Sequence, residues 1–246
     1  MASVNAPVRR IVVINGKGGC GKTTVSTNLA VWYAHHGYHP ALFDHDPQTS
    51  SQRWLDMRPR TAPTIHGVPT QQRQSLGVTR SWQLRVPPET QRIISDTPAG
   101  ISGLDIADHV RGADVILIPV LPSSIDIAAG ADFIRDLLLK AKIRRDAPDT
   151  RVGIIANRIK ENTVSLKALE RFLHSLNIPV VARLRDTQNY LHAAEQGMGI
   201  VEGARRSRTV EREIKSWHTM VSWLEKPTGV RECSSGNAYT HAATGD

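Results

Sequence analysis

Residues 16 to 23 read Gly16-Lys17-Gly18-Gly19-Cys20-Gly21-Lys22-Thr23, the spacing G-x-x-x-x-G-K-T of a phosphate-binding loop. Such a loop works only between a buried strand and the first turn of a helix, so it constrains the fold around it. Glycines let several backbone N–H groups converge on one anion without Cβ obstruction, and they accept the positive φ angles this nest demands. The helix that follows turns the positive end of its dipole toward the same anion. In this arrangement Lys22 reaches the β- and γ-phosphates of a nucleotide and the Thr23 hydroxyl ligates Mg2+. The flanks agree. Arg9 and Arg10 lead into the apolar run Ile11 to Ile14, which reads as a buried parallel strand. After the loop, Val25, Leu29 and Trp32 recur at helical spacing, and Gly37 is a plausible helix stop.

Further apolar runs follow, each closing on polar residues. Ala41-Leu42-Phe43 ends in Asp44-His45-Asp46-Pro47-Gln48, and Ile93-Ile94-Ser95 ends in Asp96-Thr97-Pro98-Ala99-Gly100, although Ser95 interrupts the apolar pattern. An acid at the carboxyl end of a strand sits where ligands bind in open α/β sheets; as a structural residue it would serve as an N-cap or in a turn. Val115 to Val120 reads as another buried strand, followed by a helix with Ile127, Ala131, Ile134 and Leu138 on one face. Val152 to Arg158 and Ile178 to Arg185 complete the series. Strands alternating with helices predict an α/β fold, a doubly wound, mostly parallel sheet with helices on both faces. The 246 residues suit one such domain, expected over 9–225, between a flexible N-terminus at 1–8 and a disordered polar tail at 226–246 rich in Gly, Ser and Thr. The stretch from Asp56 to Glu89 stands apart, with Pro59, Pro63, Pro69, Pro87 and Pro88. Short strands are expected there at Thr64 to Val68 and Trp82 to Val86, with surface structure between them and no assigned chemistry. No internal repeat is visible.

An ordinary phosphate loop has no need of Lys17 directly after its first glycine. Lys17-Gly18-Gly19-Cys20-Gly21-Lys22-Thr23-Thr24 resembles the deviant Walker A motif of the ParA/MinD superfamily of ATPases. The D-x-D-P-Q segment at Asp44 to Gln48, the Walker B region ending in Asp96, and Glu195 to Glu202 resemble later family segments in the family's order, so the likeness runs from about Ile11 to Leu224. It is nearest to short plasmid-partition ParA proteins that lack an N-terminal DNA-binding domain. The resemblance implies that Gly16 to Thr24 hold ATP, that Lys17 reaches across a dimer interface to the partner's nucleotide, and that Lys22 grips the phosphates. It further implies that Asp46 orients the attacking water and that Asp44 organises the Mg2+ and loop side. Asp96 would lie near the metal's water shell, with Thr23 as a ligand, and Asn157 and Arg158 would fall where the family meets adenine. The implied protein is an ATPase of slow basal rate that forms a homodimer on binding ATP. It would bind DNA nonspecifically and segregate plasmid or chromosome cargo with a ParB-like or small centromere-binding adaptor that stimulates hydrolysis. The alternative is a positioning scaffold for a non-DNA cargo, such as a protein microcompartment or a chemoreceptor cluster.

Charge bears on partners. The net charge is +8 and the pI about 9.9, the footprint of polyanion binding or of a merely solvated basic surface. Between Ser207 and Leu224, the residues Val210, Ile214, Trp217, Val221 and Leu224 make a helical apolar stripe that should pack on the core. Arg208, Arg212 and Lys215 project from the other faces, just after Arg205 and Arg206, with Arg183 and Arg185 expected nearby. In the ParA family, basic residues near the carboxyl-terminal helices form a nonspecific DNA surface, which makes Arg205, Arg206, Arg208, Arg212 and Lys215 the expected DNA-binding residues. The end of the chain has no apolar helical face of the kind that docks MinD-like relatives on lipid, and no run approaches the roughly 18 apolar residues of a membrane span. A cytoplasmic, nucleoid-associated protein without membrane partners is expected. With only Cys20 and Cys233, a structural disulfide is not expected, and paired cysteines for an iron-sulfur cluster are missing. Cys20 sits near a helix N-terminus, a place that can lower a thiol pKa and favour a reactive thiolate, or else serves as a small filler.

Overall fold

The computed structural model describes residues 7–70, 86–139, 141, 143–203 and 207–227. In chain order its elements are β1 (Arg9–Val13), α1 (Lys22–His35), β2 (Pro40–Asp44), α2 (Ser50–Asp56), β3 (His66–Pro69), β4 (Arg92–Asp96) and α3 (Leu104–Val110). They continue with β5 (Val115–Val120), α4 (Ser124–Leu139), α5 (Ile143–Asp146), β6 (Arg151–Ile159), α6 (Val164–Ser175), β7 (Val180–Arg185), α7 (Gln188–Ala194) and α8 (Arg208–Leu224). The apolar runs become the strands of one seven-stranded sheet in the order β3-β2-β4-β1-β5-β6-β7. Every pairing is parallel, which the helical crossovers require.

Both faces of the sheet are covered, as the near-continuous apolar strands demand. On one face Leu29, Trp32 and Tyr33 of α1 and Trp217, Met220 and Leu224 of α8 pack with Ile11, Val13, Leu42 and Ile94. On the other, Ile106 of α3, Phe133 and Leu137 of α4 and Leu169 of α6 pack with Val12, Ile116, Ile118 and Ile154. Each fully buried side chain of this size is worth about 1.5–3 kcal/mol. The α8 stripe meets the core as its spacing predicts, with Ile214 at its margin. The α4 face is turned by about one residue from the expected one. Gly130, Phe133, Ile134 and Leu137 are buried, whereas Ile127 and Leu138 lie at the edge, because Phe133 offers more surface to the sheet. Gly37 terminates α1 as expected, at φ 80°.

Two readings shift. Ser95 does not break its strand: β4 is buried along its whole length, since its backbone pairs with strands on both sides. The strand expected at Thr64 to Val68 is β3, which starts two residues later and ends one later, opposite Ala41 to Asp44. The strand expected at Trp82 to Val86, the N-terminal residues 1–6 and the tail beyond residue 227 lie outside the described residues, although Val86 packs against Phe43 and Ile93. Between β6 and β7 the register shifts twice, at Ile154/Ile155 and Ala156/Ile159. Val13, Asp44 and Asp96 share one level at the carboxyl ends of β1, β2 and β4, so parallel pairing alone delivers both acids to the mouth of the phosphate loop.

Candidate functional site

The loop between β1 and α1 is held from below. Asn15 donates from Nδ2 to the Pro119 carbonyl at 2.8 Å and accepts the Lys17 N–H at 3.0 Å, pinning the loop to β5. The Gly100 N–H donates to the Gly16 carbonyl at 2.8 Å. Gly21 stands at φ 92°, and a Cβ there would lie 2.2 Å from Asn157 Nδ2, so only glycine fits. Helices α6, α7 and α8 begin with Thr163, Thr187 and Ser207 side chains capping their first N–H groups. Helix α1 begins at Gly21 with no side-chain cap and no acid in its first turn. Helices α2 and α3 also start without a side-chain cap, but at α1 the uncapped turn faces the glycine loop, an arrangement suited to an external anion.

Lys22 is 6% exposed. Its Nζ donates to the carbonyls of Asn15 and Lys17, both at 3.1 Å, and among the described residues it forms no ion pair. A buried ammonium without a counter-charge is costly, and an anion seated on the loop would supply one. The donor set therefore fits a nucleotide's phosphates.

Asp96, fully buried, is ringed by hydroxyls. Ser26 of α1 donates to Oδ1 at 3.2 Å, Ser51 of α2 donates to Oδ2, and the Thr23 hydroxyl also bonds to it. Burial pushes the Asp96 carboxyl up to about 6, with the Asp44 charge adding to the rise and the hydroxyls of Ser51, Thr23 and Ser26 opposing it. Asp44, 2% exposed, accepts the Asp46 N–H on Oδ1 at 3.0 Å and the Gln52 N–H on Oδ2 at 2.9 Å. Burial raises its pKa as well, against those two N–H groups. Asp46 is more open, and its Oδ1 accepts the Gln48 N–H at 2.9 Å, which shapes the turn into α2. Two buried acids of raised pKa beside the Thr23 hydroxyl form an oxygen set suited to a hydrated Mg2+. A bound Mg2+ would neutralise phosphate charge there.

The structure thus brings Gly16, Lys17, Gly18, Gly19, Cys20, Gly21, Lys22, Thr23, Thr24, Asp44, Asp46 and Asp96 to one end of the sheet. Lys17 is at the rim, its Nζ 4.0 Å from Asp126 Oδ1 in the first turn of α4, with the lysine side chain 40% exposed. Asn157 lies beneath the loop, donating from Nδ2 to the Cys20 carbonyl at 2.8 Å and accepting the Arg158 N–H on Oδ1 at 3.0 Å. Arg158, at φ 51°, is exposed and pairs with Asp186 at 3.3 Å. Of the two readings of Cys20 the structure supports the filler: it is 1% exposed, and burial pushes its thiol pKa up despite the Lys22 charge. The loop keeps it folded inward as a small filler.

Sequence reasoning missed Asn15, Ser26, Ser51 and Asp126. Only Ser26 carried a signal, one helical turn after Thr23 and so on the same face.

Farther away, Arg208, Arg212 and Lys215 are exposed on α8, and Arg183 is exposed on β7. Arg205 and Arg206 lie outside the described residues. Arg185 is engaged by Glu161 at 3.6 Å and Glu213 at 3.4 Å. Glu213, on the inner face of α8, is fully buried and also accepts the Tyr190 hydroxyl at 2.7 Å. No helix among the described residues is long and apolar enough to cross a membrane.

Comparison with known proteins agrees with this geometry. The chain is 27% identical over 209 residues to a maintenance of carboxysome distribution protein A from Halothiobacillus neapolitanus, covering 83% of this chain and 92% of the relative. Its fold matches the MinD cell division protein of Aquifex aeolicus with a TM-score of 0.67 at 20% identity, over 91% of this chain and 100% of that one. It also matches a Cyanothece McdA–ATP complex with a TM-score of 0.65 at 15% identity, over 92% and 100% of the two chains. A family model described as the CobQ/CobB/MinD/ParA nucleotide binding domain matches residues 11–200, and the chain belongs to that family.

Proposed function

We propose that the protein is an ATPase that dimerises on binding ATP, binds DNA nonspecifically, and positions a cargo delivered by an adaptor that stimulates hydrolysis. The observation that carries the reading is the buried, unpaired Lys22 ammonium facing a loop flanked by Thr23, Asp44 and Asp96. In this reading the loop residues Gly16 to Thr24 bind ATP, and Thr23, Asp44 and Asp96 hold Mg2+. Asp46 orients the attacking water, a positioning task separate from holding phosphates. Lys17 at the rim completes the partner subunit's site, and Asn157 and Arg158 border the adenine. The DNA surface is the exposed side of α8, Arg208, Arg212 and Lys215, together with Arg205 and Arg206. The protein then resides in the cytoplasm on the nucleoid.

Two cargoes fit. Plasmid or chromosome DNA, through a ParB-like or centromere-binding adaptor, follows from the resemblance to short partition proteins. A protein microcompartment is favoured by the relative named for carboxysome distribution, 92% of whose length is matched. The protein encoded beside this one separates them: stimulation of ATP turnover by a small DNA-binding neighbour supports partition, and stimulation by a shell-associated neighbour supports cargo spacing.

The nucleotide switch is tested directly. Lys22→Ala should lose ATP binding in equilibrium titration, whereas Lys17→Ala should bind ATP and remain monomeric by light scattering. Unchanged ATP affinity in Lys22→Ala would refute the site, and normal ATP-dependent dimers of Lys17→Ala would refute the role across the interface.

A further inference from the structure

Helix α2 is tied down at both ends. At its start, Ser51, fully buried, donates to Asp96 Oδ2, and the Gln52 N–H donates to Asp44 Oδ2 at 2.9 Å. The residues that lead into it, Asp46 to Thr49, form the turn closed by the Thr49 N–H on the Asp46 carbonyl at 2.9 Å. Just past its end comes Arg58, whose side chain uses all five of its N–H groups. Nη1 donates to Glu202 Oε2 at 2.9 Å and to the Gly197 carbonyl at 3.1 Å. Nη2 donates to Glu202 Oε1 at 2.6 Å and to the Pro63 carbonyl at 2.9 Å, and Nε donates to Pro63 again at 3.2 Å. Both members of the pair are nearly buried, with side chains 6% and 5% exposed, and the guanidinium lies 5.6 Å from the Trp54 ring centroid. A bidentate, desolvated pair of this kind fixes orientation as well as distance.

The receiving segment is equally constrained. Gly197 stands at φ 62°, and a Cβ there would lie 2.5 Å from both Arg58 N and Met57 C, so the backbones touch at this point. The Glu202 carboxylate also accepts the Gly199 N–H at 3.1 Å, and the Ile200 N–H donates to Asn28 Oδ1 in α1 at 2.8 Å. The anchor that receives Arg58 is therefore fastened to the helix that begins at the phosphate loop. Helix α2 spans from that anchor to the two acids, with the Asp46 turn at its upstream end.

We propose that Arg58, Glu202 and Gly197 are positioning residues for ATP hydrolysis, fixing through α2 the turn that carries Asp46 relative to the phosphate loop. The inference rests on the reading of the site as an ATPase with Asp46 as the water-orienting acid. None of the three touches the nucleotide site, so their loss should leave phosphate binding intact and misplace the water. Displacement of a reacting group by about 1 Å costs on the order of a hundredfold in rate.

The test uses Arg58→Lys, which keeps the charge and loses the fork, Glu202→Gln, which keeps the shape and loses the charge, their double variant, and Gly197→Ala, which alters no charge. Steady-state turnover gives kcat and KM for Mg-ATP, and titration with a fluorescent non-hydrolysable ATP analogue gives affinity, all well below the melting temperature. A fall in kcat of about tenfold to a hundredfold, with analogue affinity held within about twofold, is expected for each variant. The double variant should be no worse than the more damaged single one. Wild-type kcat per folded molecule in Arg58→Lys and Gly197→Ala would overturn the proposal, as would an equal loss of analogue affinity and turnover. A wild-type protein that binds the analogue and never hydrolyses ATP would overturn the ATPase reading instead.

Discussion

Replacing Gly21 by alanine tests the phosphate loop in the absence of any ligand. At φ 92° and ψ 26° a non-glycine residue is held in a left-handed conformation, which costs about 1–3 kcal/mol. The new Cβ would meet Asn157 Nδ2 at 2.2 Å, so the amide must leave and its 2.8 Å bond to the Cys20 carbonyl is lost. Leaving a buried donor or acceptor unpaired costs about 1–3 kcal/mol. Gly21→Ala should therefore destabilise the protein by roughly 2–6 kcal/mol, a sum of those two ranges. Asn157→Ala removes the same bond without the strain and should cost about 1–3 kcal/mol. Because both single variants lose one shared bond and the double variant also removes the clash, the double should cost little more than Gly21→Ala alone. The expected coupling is about 1–3 kcal/mol. Urea denaturation followed by circular dichroism, with m-values compared across the four proteins, measures it. Strict additivity, or Gly21→Ala within about 0.5 kcal/mol of wild type, would refute the argument that this loop is built around Asn157.

The Asp96 carboxyl, raised by burial to about 6, makes ionisation unfavourable in the folded protein. The folded state binds its proton more readily than the unfolded chain, so this group's contribution makes stability fall as pH rises from about 4 to about 6, by about 3 kcal/mol in all. Asp96→Asn should flatten that part of the curve in metal-free protein, and an unchanged difference between about pH 4.5 and 7 would contradict the burial argument. On the exposed side of α8, Arg212→Ala with Lys215→Ala should weaken binding of random duplex DNA and lower the log-log salt slope by roughly 0.9 for each phosphate no longer neutralised. ATP binding should survive, because the phosphate loop is elsewhere. An unchanged slope measured by fluorescence anisotropy would remove this face from DNA binding.

The sheet and its mouth were largely legible because parallel strands buried on both faces must be apolar throughout, and Ile11 to Ile14 and Val115 to Val120 are β-branched-rich runs of strand length bounded by polar or turn residues. The acids Asp44 and Asp96 were legible for a related reason, being the first charges after such runs. What stayed hidden depended on partners distant in sequence. Ser51 bonds to Asp96 across 45 residues and Arg58 to Glu202 across 144, and no local spacing encodes either pair. For Cys20 the sequence left a reactive thiolate and a small filler both open, because burial decides between them, and in the folded loop desolvation dominates. The face of α4 shifted because periodicity marks a stripe and side-chain volume decides its centre.

Among the described residues β7 has no further strand beside it, so its outer backbone groups are a template on which a second copy could add a strand. Two register shifts against β6 bend that strand away from a flat ribbon, and exposed Arg183 places a charge along it. Uncontrolled strand addition is thereby disfavoured on this side, where copies brought together at high local concentration would otherwise grow an open-ended ribbon. The dimer proposed above would instead join two copies at the carboxyl-end face bearing Lys17, a contact that closes on itself and stops.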